Sequence, residues 1–128
     1  MKTVLEHVNI TVPNCQVAAA TLCDLFDWRI RWQGDAINGG TSIHVGGDFS
    51  YVALYEPNKG LSTVSSSYEL SNGLNHIAVV VDDLQEALRR VRDAGFETHS
   101  HADYEPGERF YFRDLNHLEI EVVSYSNR

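Results

Sequence analysis

The feature that most limits how this chain can fold is a repeat. His7-Val8-Asn9-Ile10-Thr11-Val12 returns 69 residues later as His76-Ile77-Ala78-Val79-Val80-Val81, and the same offset matches Asn14 with Asp83, Gln16 with Gln85 and Asp24 with Asp93. Each copy runs from a strand pattern through a short polar step into an amphipathic helical pattern. A gene duplication is the simplest account, so whatever buries the apolar face of one copy is expected to do so twice. A histidine opening a buried strand is unusual once, because imidazole favours a partnered or half-solvated place. Its return at the matching point of a repeat marks a shared site.

The elements follow from periodicity and punctuation. Apolar and polar residues alternate from Val4 to Val12, Pro13-Asn14 breaks the pattern, and Asn14 suits a helix N-cap. Val17, Ala20, Leu22, Leu25 and Phe26 then form a helical stripe. Three strands are expected at Trp28 to Trp32, Thr41 to Val45 and Tyr51 to Tyr55, separated by the turn signals Asn38-Gly39-Gly40 and Gly46-Gly47-Asp48. After a Ser, Gly and Asn-rich linker the order recurs. Asn75 to Val81 reads as a strand, and Asp82-Asp83 starts a helix with Leu84, Ala87, Leu88 and Val91 on one face. Gly95 stops that helix. Phe96 to Ser100, Arg109 to Arg113 and Leu118 to Val123 are three further strands. The chain is thus an α+β protein of two tandem β-α-β-β-β modules, about 1–57 and about 73–128, joined by a linker of about 58–72.

Composition excludes several classes. The chain has 128 residues, 43% hydrophobic and 22% charged, which suits one ordinary globular domain with a real core. No apolar run nears the roughly 20 residues that span a bilayer, and Met1-Lys2-Thr3 leads into a strand rather than a signal peptide. No membrane contact and a cytoplasmic location are therefore expected. A net charge of −8 with ten Lys and Arg lacks the clustered basic surface that nucleic acid requires. Cys15 and Cys23, if both are helical, lie about 12 Å apart along the axis, beyond disulfide reach. There is no phosphate loop, nucleophile elbow or paired-cysteine motif.

Three stretches together resemble the vicinal oxygen chelate superfamily, the glyoxalase and bleomycin-resistance group. They are Leu5 to Val12, Leu74-Asn75-His76-Ile77-Ala78-Val79-Val80-Val81-Asp82-Asp83, and Tyr111-Phe112-Arg113-Asp114 through Ile120-Glu121-Val122. The resemblance implies a cupped, eight-stranded mixed sheet with one helix outside each half. It also implies a divalent metal (Mn, Fe, Ni or Zn) held by His7, His76 and Glu121. Many relatives with two modules dimerise, so a homodimer is implied as well.

Strand phase agrees with that ligand set, because alternate side chains point to opposite faces. Val8, Ile10 and Val12 suit a helix-covered face, as do Ile77, Val79 and Val81, and Leu118, Ile120 and Val122. His7, Asn9, His76, Glu119 and Glu121 then share the other face. Two imidazoles and a carboxylate suit a first-row divalent ion and leave positions for substrate or water. Relatives often add a fourth ligand from the last strand of the first module. Glu56 has the helix-facing parity of Val52 and Leu54, and matching Ala53 to Pro57 with the superfamily's strand implies Ala53 at the ligand position instead. Where the superfamily usually has an Asp-Pro-Asp-Gly turn, this chain has Asp114-Leu115-Asn116-His117, and Asn116 is expected to supply the positive φ.

An ion with open positions polarises a carbonyl or stabilises an enolate, and it needs an acid or base beside it. Glu119 is the first candidate, against the alternative of a solvated rim carboxylate. Asn9, Tyr51 and Tyr55 could hydrogen-bond a substrate, against the alternative of packing. His99 and His101 read as a His-x-His pair on one side of an exposed edge, and His44 and His117 as surface residues near turns. Asp82-Asp83 and Arg89-Arg90-Val91-Arg92 fit helix capping and the helix dipole. Two functions stand at this point. One is a metal-dependent glyoxalase-like enzyme, acting on a small substrate with vicinal oxygens as lyase, isomerase, thiol transferase or dioxygenase. The other is a metal-free module that sequesters a small molecule, as bleomycin-resistance proteins do.

Overall fold

The computed structural model describes residues 1–62, 67–104 and 107–125. The chain divides into two units, Met1–Ser62 and Thr63–Arg128. The first contains β1 (His7–Thr11), α1 (Cys15–Phe26), β2 (Arg29–Asp35), a 3-10 turn at Ile37–Gly39, β3 (Thr41–Gly46) and β4 (Tyr51–Glu56). The second opens with a 3-10 turn at Ser67–Glu69 and continues with β5 (Ile77–Val80), α2 (Leu84–Asp93), β6 (Thr98–Tyr104), β7 (Gly107–Arg113) and β8 (Glu119–Ser124). The predicted duplication is realised as two β-α-β-β-β units, each with its own four-stranded sheet. The sheet orders are β1-β4-β3-β2 and β5-β8-β7-β6, so corresponding strands hold corresponding places. β1 pairs parallel with β4 and β5 with β8, while the other pairings are antiparallel.

Local chemistry explains the element ends. The Asn14 side chain accepts from the Val17 N–H at 3.0 Å, and the Asp83 side chain from the Glu86 N–H at 3.0 Å. Each satisfies an amide that the first helical turn leaves without an intrahelical partner. α1 ends on Asp27 in the left-handed region, and Gly95 does the same beyond α2 at φ 94°. β1 starts at His7, three residues later than the alternation implied, and β2 starts at Arg29 and runs on to Asp35. β5 is shorter than expected, which leaves His76 immediately before it. β6 lies two residues later at its start and extends to Tyr104. Of the predicted linker, Ser67–Glu69 forms the 3-10 turn, and residues 63–66 lie outside the described residues.

Each unit buries one sheet face beneath its helix. Ala18, Ala19, Leu22 and Leu25 of α1 are buried with Ile43, Val45, Val52 and Leu54. In the second unit Ala87 and Val91 of α2 are buried with Val79, Phe110, Phe112, Ile120 and Val122. Among the described residues, no helix is long and apolar enough to cross a membrane.

The exposed face of α2 carries a charge cluster whose effect depends on pH. Glu86 accepts from Arg89 at 2.6 and 3.0 Å and from Arg90 at 3.0 Å, and these guanidinium hydrogen bonds pull its carboxyl down to about 2. A carboxyl lowered by folding contributes stability above its unfolded value of 4.5, which is lost as pH falls toward 2. Urea midpoints for wild type and Glu86→Gln should therefore differ near neutral pH and converge toward about pH 2. A gap that stays constant with pH would show that ionisation of Glu86 is not its source.

Candidate functional site

Pairing register fixes which side chains face away from each helix. In the first unit His7, Asn9 and Thr11 pair with Tyr51, Ala53 and Tyr55, and Ala53 pairs in turn with His44. Glu56 stands on the opposite face, where its carboxylate accepts from the Cys15 N–H at 2.8 Å. It caps α1, as its parity implied, and Ala53 is the residue of β4 that sits beside Asn9.

His7, Tyr51 and His44 form a ring cluster on that face. Tyr51 lies 4.7 Å from His7 and 4.5 Å from His44, with interplanar angles of 12° and 22°. Trp32 continues the row at 5.0 Å from His44, and the Arg31 guanidinium lies 4.8 Å from the Tyr51 ring centre. Arg31 reaches that position because β2 bulges between Ile30 and Trp32. Glu6 organises the end of the row. It accepts from Tyr51 Oη at 3.2 Å and lies 2.8 Å from His7 Nδ1. With the Nδ1 proton directed at Glu6, the His7 Nε2 lone pair is left for a ligand. The hydrogen bond to His7, then that to Tyr51, holds the Glu6 carboxyl below its ordinary value. Burial lowers the His44 imidazole and favours its neutral form.

In the second unit the face away from α2 is more polar. Glu121 pairs with Ala78 and Tyr111, and Glu119 pairs with Arg113. Both carboxylates are buried, at 7% and 6% exposure, so Glu119 is not the solvated rim group of the alternative reading. Glu121 has three partners. His76 Nε2 lies 3.1 Å from Oε1, Tyr111 Oη donates to Oε1 at 3.0 Å, and Arg109 Nη1 donates to Oε2 at 2.9 Å. Burial, then the hydrogen bond to Glu121, raises the Tyr111 phenol and keeps it a donor. Glu119 accepts a short hydrogen bond from Tyr68 Oη, with Arg113 and His99 nitrogens at 3.7 and 3.8 Å. That carboxylate raises the Tyr68 phenol.

Several sequence expectations need correction. His99 and His101 do not share a side, because Ser100 adopts φ 56° and the register shifts between His99 and Ala102. His99 stacks on Tyr111 and His101 on Phe110, which are neighbours of opposite parity on β7. His44 is half-buried in the ring row rather than a turn residue at the surface. In the β7–β8 turn His117, not Asn116, takes the positive φ, at 64°. Asp114 closes that turn by accepting from the Asn116 and Leu118 amides at 2.8 and 3.0 Å. Tyr55 Oη already donates to the Ile37 carbonyl at 2.8 Å, which makes its role at least partly structural.

Sequence reasoning missed Glu6, Arg109, Tyr111 and Tyr68. One signal was present for Arg109 and Tyr111. A carboxylate buried in mid-strand requires donors, and adjoining strands are one source of them, although the spacing does not say which residues.

Comparison with known proteins agrees with this architecture. Residues 6–112 match the family model of the Glyoxalase/Bleomycin resistance protein/Dioxygenase superfamily, and the chain belongs to that superfamily. A glyoxylase/bleomycin resistance protein/dioxygenase domain from Frankia sp. EAN1pec superposes with a TM-score of 0.81 at 18% identity, covering 97% of this chain and 93% of that one. The fosfomycin resistance protein FosX from Mesorhizobium loti gives 0.72 at 22% identity, covering 96% and 92%. FosX from Listeria monocytogenes, complexed with Mn(II) and sulfate, gives 0.73 at 19% identity, covering 97% and 93%. No curated protein sequence matches the chain significantly.

The side chains can be tested against the divalent ion found in such relatives. Two ligand atoms at right angles on one ion with bonds of about 2.1 Å stand roughly 3.0 Å apart. His76 Nε2 and Glu121 Oε1, at 3.1 Å, have that spacing. His76 Nδ1 is buried without a hydrogen-bond partner, so its ring is fixed by packing and by Nε2 alone. Within the described residues, no three His, Cys, Asp or Glu side chains gather as a metal-ligand group. Within the second unit the described side chains offer an ion a pair of donors, His76 and Glu121.

Proposed function

We propose that the protein is a divalent-metal-dependent enzyme of the glyoxalase-like group, acting on a small substrate that chelates the ion through vicinal oxygens. The supporting observation is the inward pair His76 Nε2 and Glu121 Oε1, at ligand spacing on the face away from α2. His7 is the third ligand in this reading, supplied with its Nδ1 already engaged by Glu6. The ion is Mn, Fe, Ni or Zn, and when bound it supplies Lewis-acid polarisation of the substrate oxygens.

The remaining roles belong to side chains. Glu119 is the proposed acid or base. Its burial and its Tyr68 and Arg113 neighbours hold one carboxylate orientation, which positions a proton at a fixed place. Asn9 and Tyr51 are proposed to orient the substrate, and Tyr55 shapes the same face. We read the protein as a cytoplasmic homodimer with no nucleic-acid or membrane partner. The reaction is a lyase, isomerase, thiol-transfer or dioxygenase step.

One observation favours the alternative of metal-free small-molecule sequestration. The Arg109 guanidinium already compensates the charge of Glu121. Calorimetric titration with Mn, Fe, Ni and Zn separates the two. Wild type should bind at least one ion, His7→Ala and His76→Ala should each weaken binding by roughly tenfold to a hundredfold or more, and Glu56→Ala should not. Wild type that binds none of them leaves the sequestering module as the function. Sedimentation of the same samples should show a dimer, and a monomer at all concentrations would remove that part of the reading.

A further inference from the structure

Arg109 holds one oxygen of Glu121, the carboxylate proposed above as a metal ligand. Its Nη1 donates to Glu121 Oε2 at 2.9 Å, while Nε and Nη2 both donate to the Gly107 carbonyl at 3.2 and 3.1 Å. The side chains of Arg109 and Glu121 are only 11% and 10% exposed. The clamp is tight at its base as well. A Cβ on Gly107 would fall 2.6 Å from the Ser124 carbonyl, so the strand backbone that holds the guanidinium is itself closely packed.

Two consequences follow from elementary electrostatics. The guanidinium pins one oxygen of Glu121 and turns the other toward His76, which prepares a one-oxygen ligand. It also places a fixed positive charge beside the spot where a doubly charged ion would sit, in a partly desolvated site where such repulsion is strong. A carboxylate already paired with a cation gains less from a second one.

We infer that Arg109 is a positioning residue that competes, through Glu121, with the divalent ion and so sets the metal affinity of the site. This inference rests on the metal-dependent reading. It makes the ion an exchangeable partner whose binding is held below what His76 and Glu121 would otherwise reach. The guanidinium keeps Glu121 compensated before the ion binds.

The test is calorimetric titration of Mn2+ and Zn2+ into wild type, Arg109→Gln, Arg109→Met and Arg109→Lys, with melting curves for each protein with and without the ion. Gln and Met remove the charge, and Gln keeps an amide to hydrogen-bond Glu121 should Met fail to fold. Both should bind the ions roughly tenfold to a hundredfold more tightly than wild type and show a larger ion-induced rise in melting temperature. Lys keeps the charge and should bind about as weakly as wild type. Equal or weaker binding by the Gln variant overturns the inference, as does a Lys variant that tightens alongside Gln. If wild type binds but Gln shows no gain, only this inference falls. If no protein, wild type included, binds either ion, this inference falls, and the metal-dependent reading falls with it when Fe and Ni also fail to bind.

Discussion

Replacing Glu121 with Ala is expected to lower the unfolding free energy by about 3–5 kcal/mol, because it takes away the buried carboxylate that the Arg109 guanidinium is paired with. The carboxylate sits in the centre of β8, and the guanidinium reaches it at 2.9 Å with little exposure on either side. Tyr111 loses its acceptor in the same substitution, which adds the cost of an unsatisfied hydroxyl. Removing both charges should be far milder. The Glu121→Leu, Arg109→Met double variant should recover most of the loss, as well-packed apolar pairs often do in place of buried ion pairs. Urea denaturation of wild type, both single variants and the double variant measures the coupling directly. A loss below about 1 kcal/mol for Glu121→Ala would place this pair with solvated surface ion pairs and remove the argument.

Phe112→Ala is the second large effect, and it acts on the opposite face of the same sheet, from the neighbouring strand β7. Phe112 is fully buried beneath α2 and meets Phe96 with ring centroids 5.6 Å apart. Truncating it removes apolar burial and leaves a cavity lined by side chains that cannot collapse into it, at about 3–5 kcal/mol. The site face should keep its chemistry in the folded fraction, since Phe112 points away from Glu121 and Tyr111. The two variants therefore destabilise alike but differ in ion binding: Glu121→Ala should lose it at temperatures where the protein remains folded, and Phe112→Ala should retain it. Equal loss of binding in both would mean that the two faces of β7 and β8 are not independent.

Those two faces show what the sequence could reveal. Strand phase is a local property with a period of two, so Val52, Leu54 and Glu56 announce a common face from their spacing alone, and the structure puts Glu56 against the start of α1. Caps are local too, and Asn14 and Asp83 were legible as such. The order of elements followed from repeated punctuation. Partners across strands were not legible. Arg109 meets Glu121 only because β7 and β8 pair in one antiparallel register, which no short window of residues specifies. Bulges hid more: one turns Arg31 onto Tyr51, and another separates His99 from His101. The 3-10 turn that delivers Tyr68 to Glu119 lies in a stretch whose composition reads only as linker.

The register also records how the two halves diverged. Ala53 lies beside Asn9 in β1 as Glu121 lies beside Ala78 in β5, and Asn9 and Ala78 are the same position of the ancestral module. An alanine and a glutamate thus stand at equivalent places in the two modules, and a carboxylate at position 53 would not simply fit. Ala53 is 1% exposed and paired with His44, whose ring packs against Tyr51, and a longer side chain there would have to break that stack. The aromatic row on one copy thus takes the room that a longer side chain would need, so the twin modules cannot carry the same residue at this place without repacking.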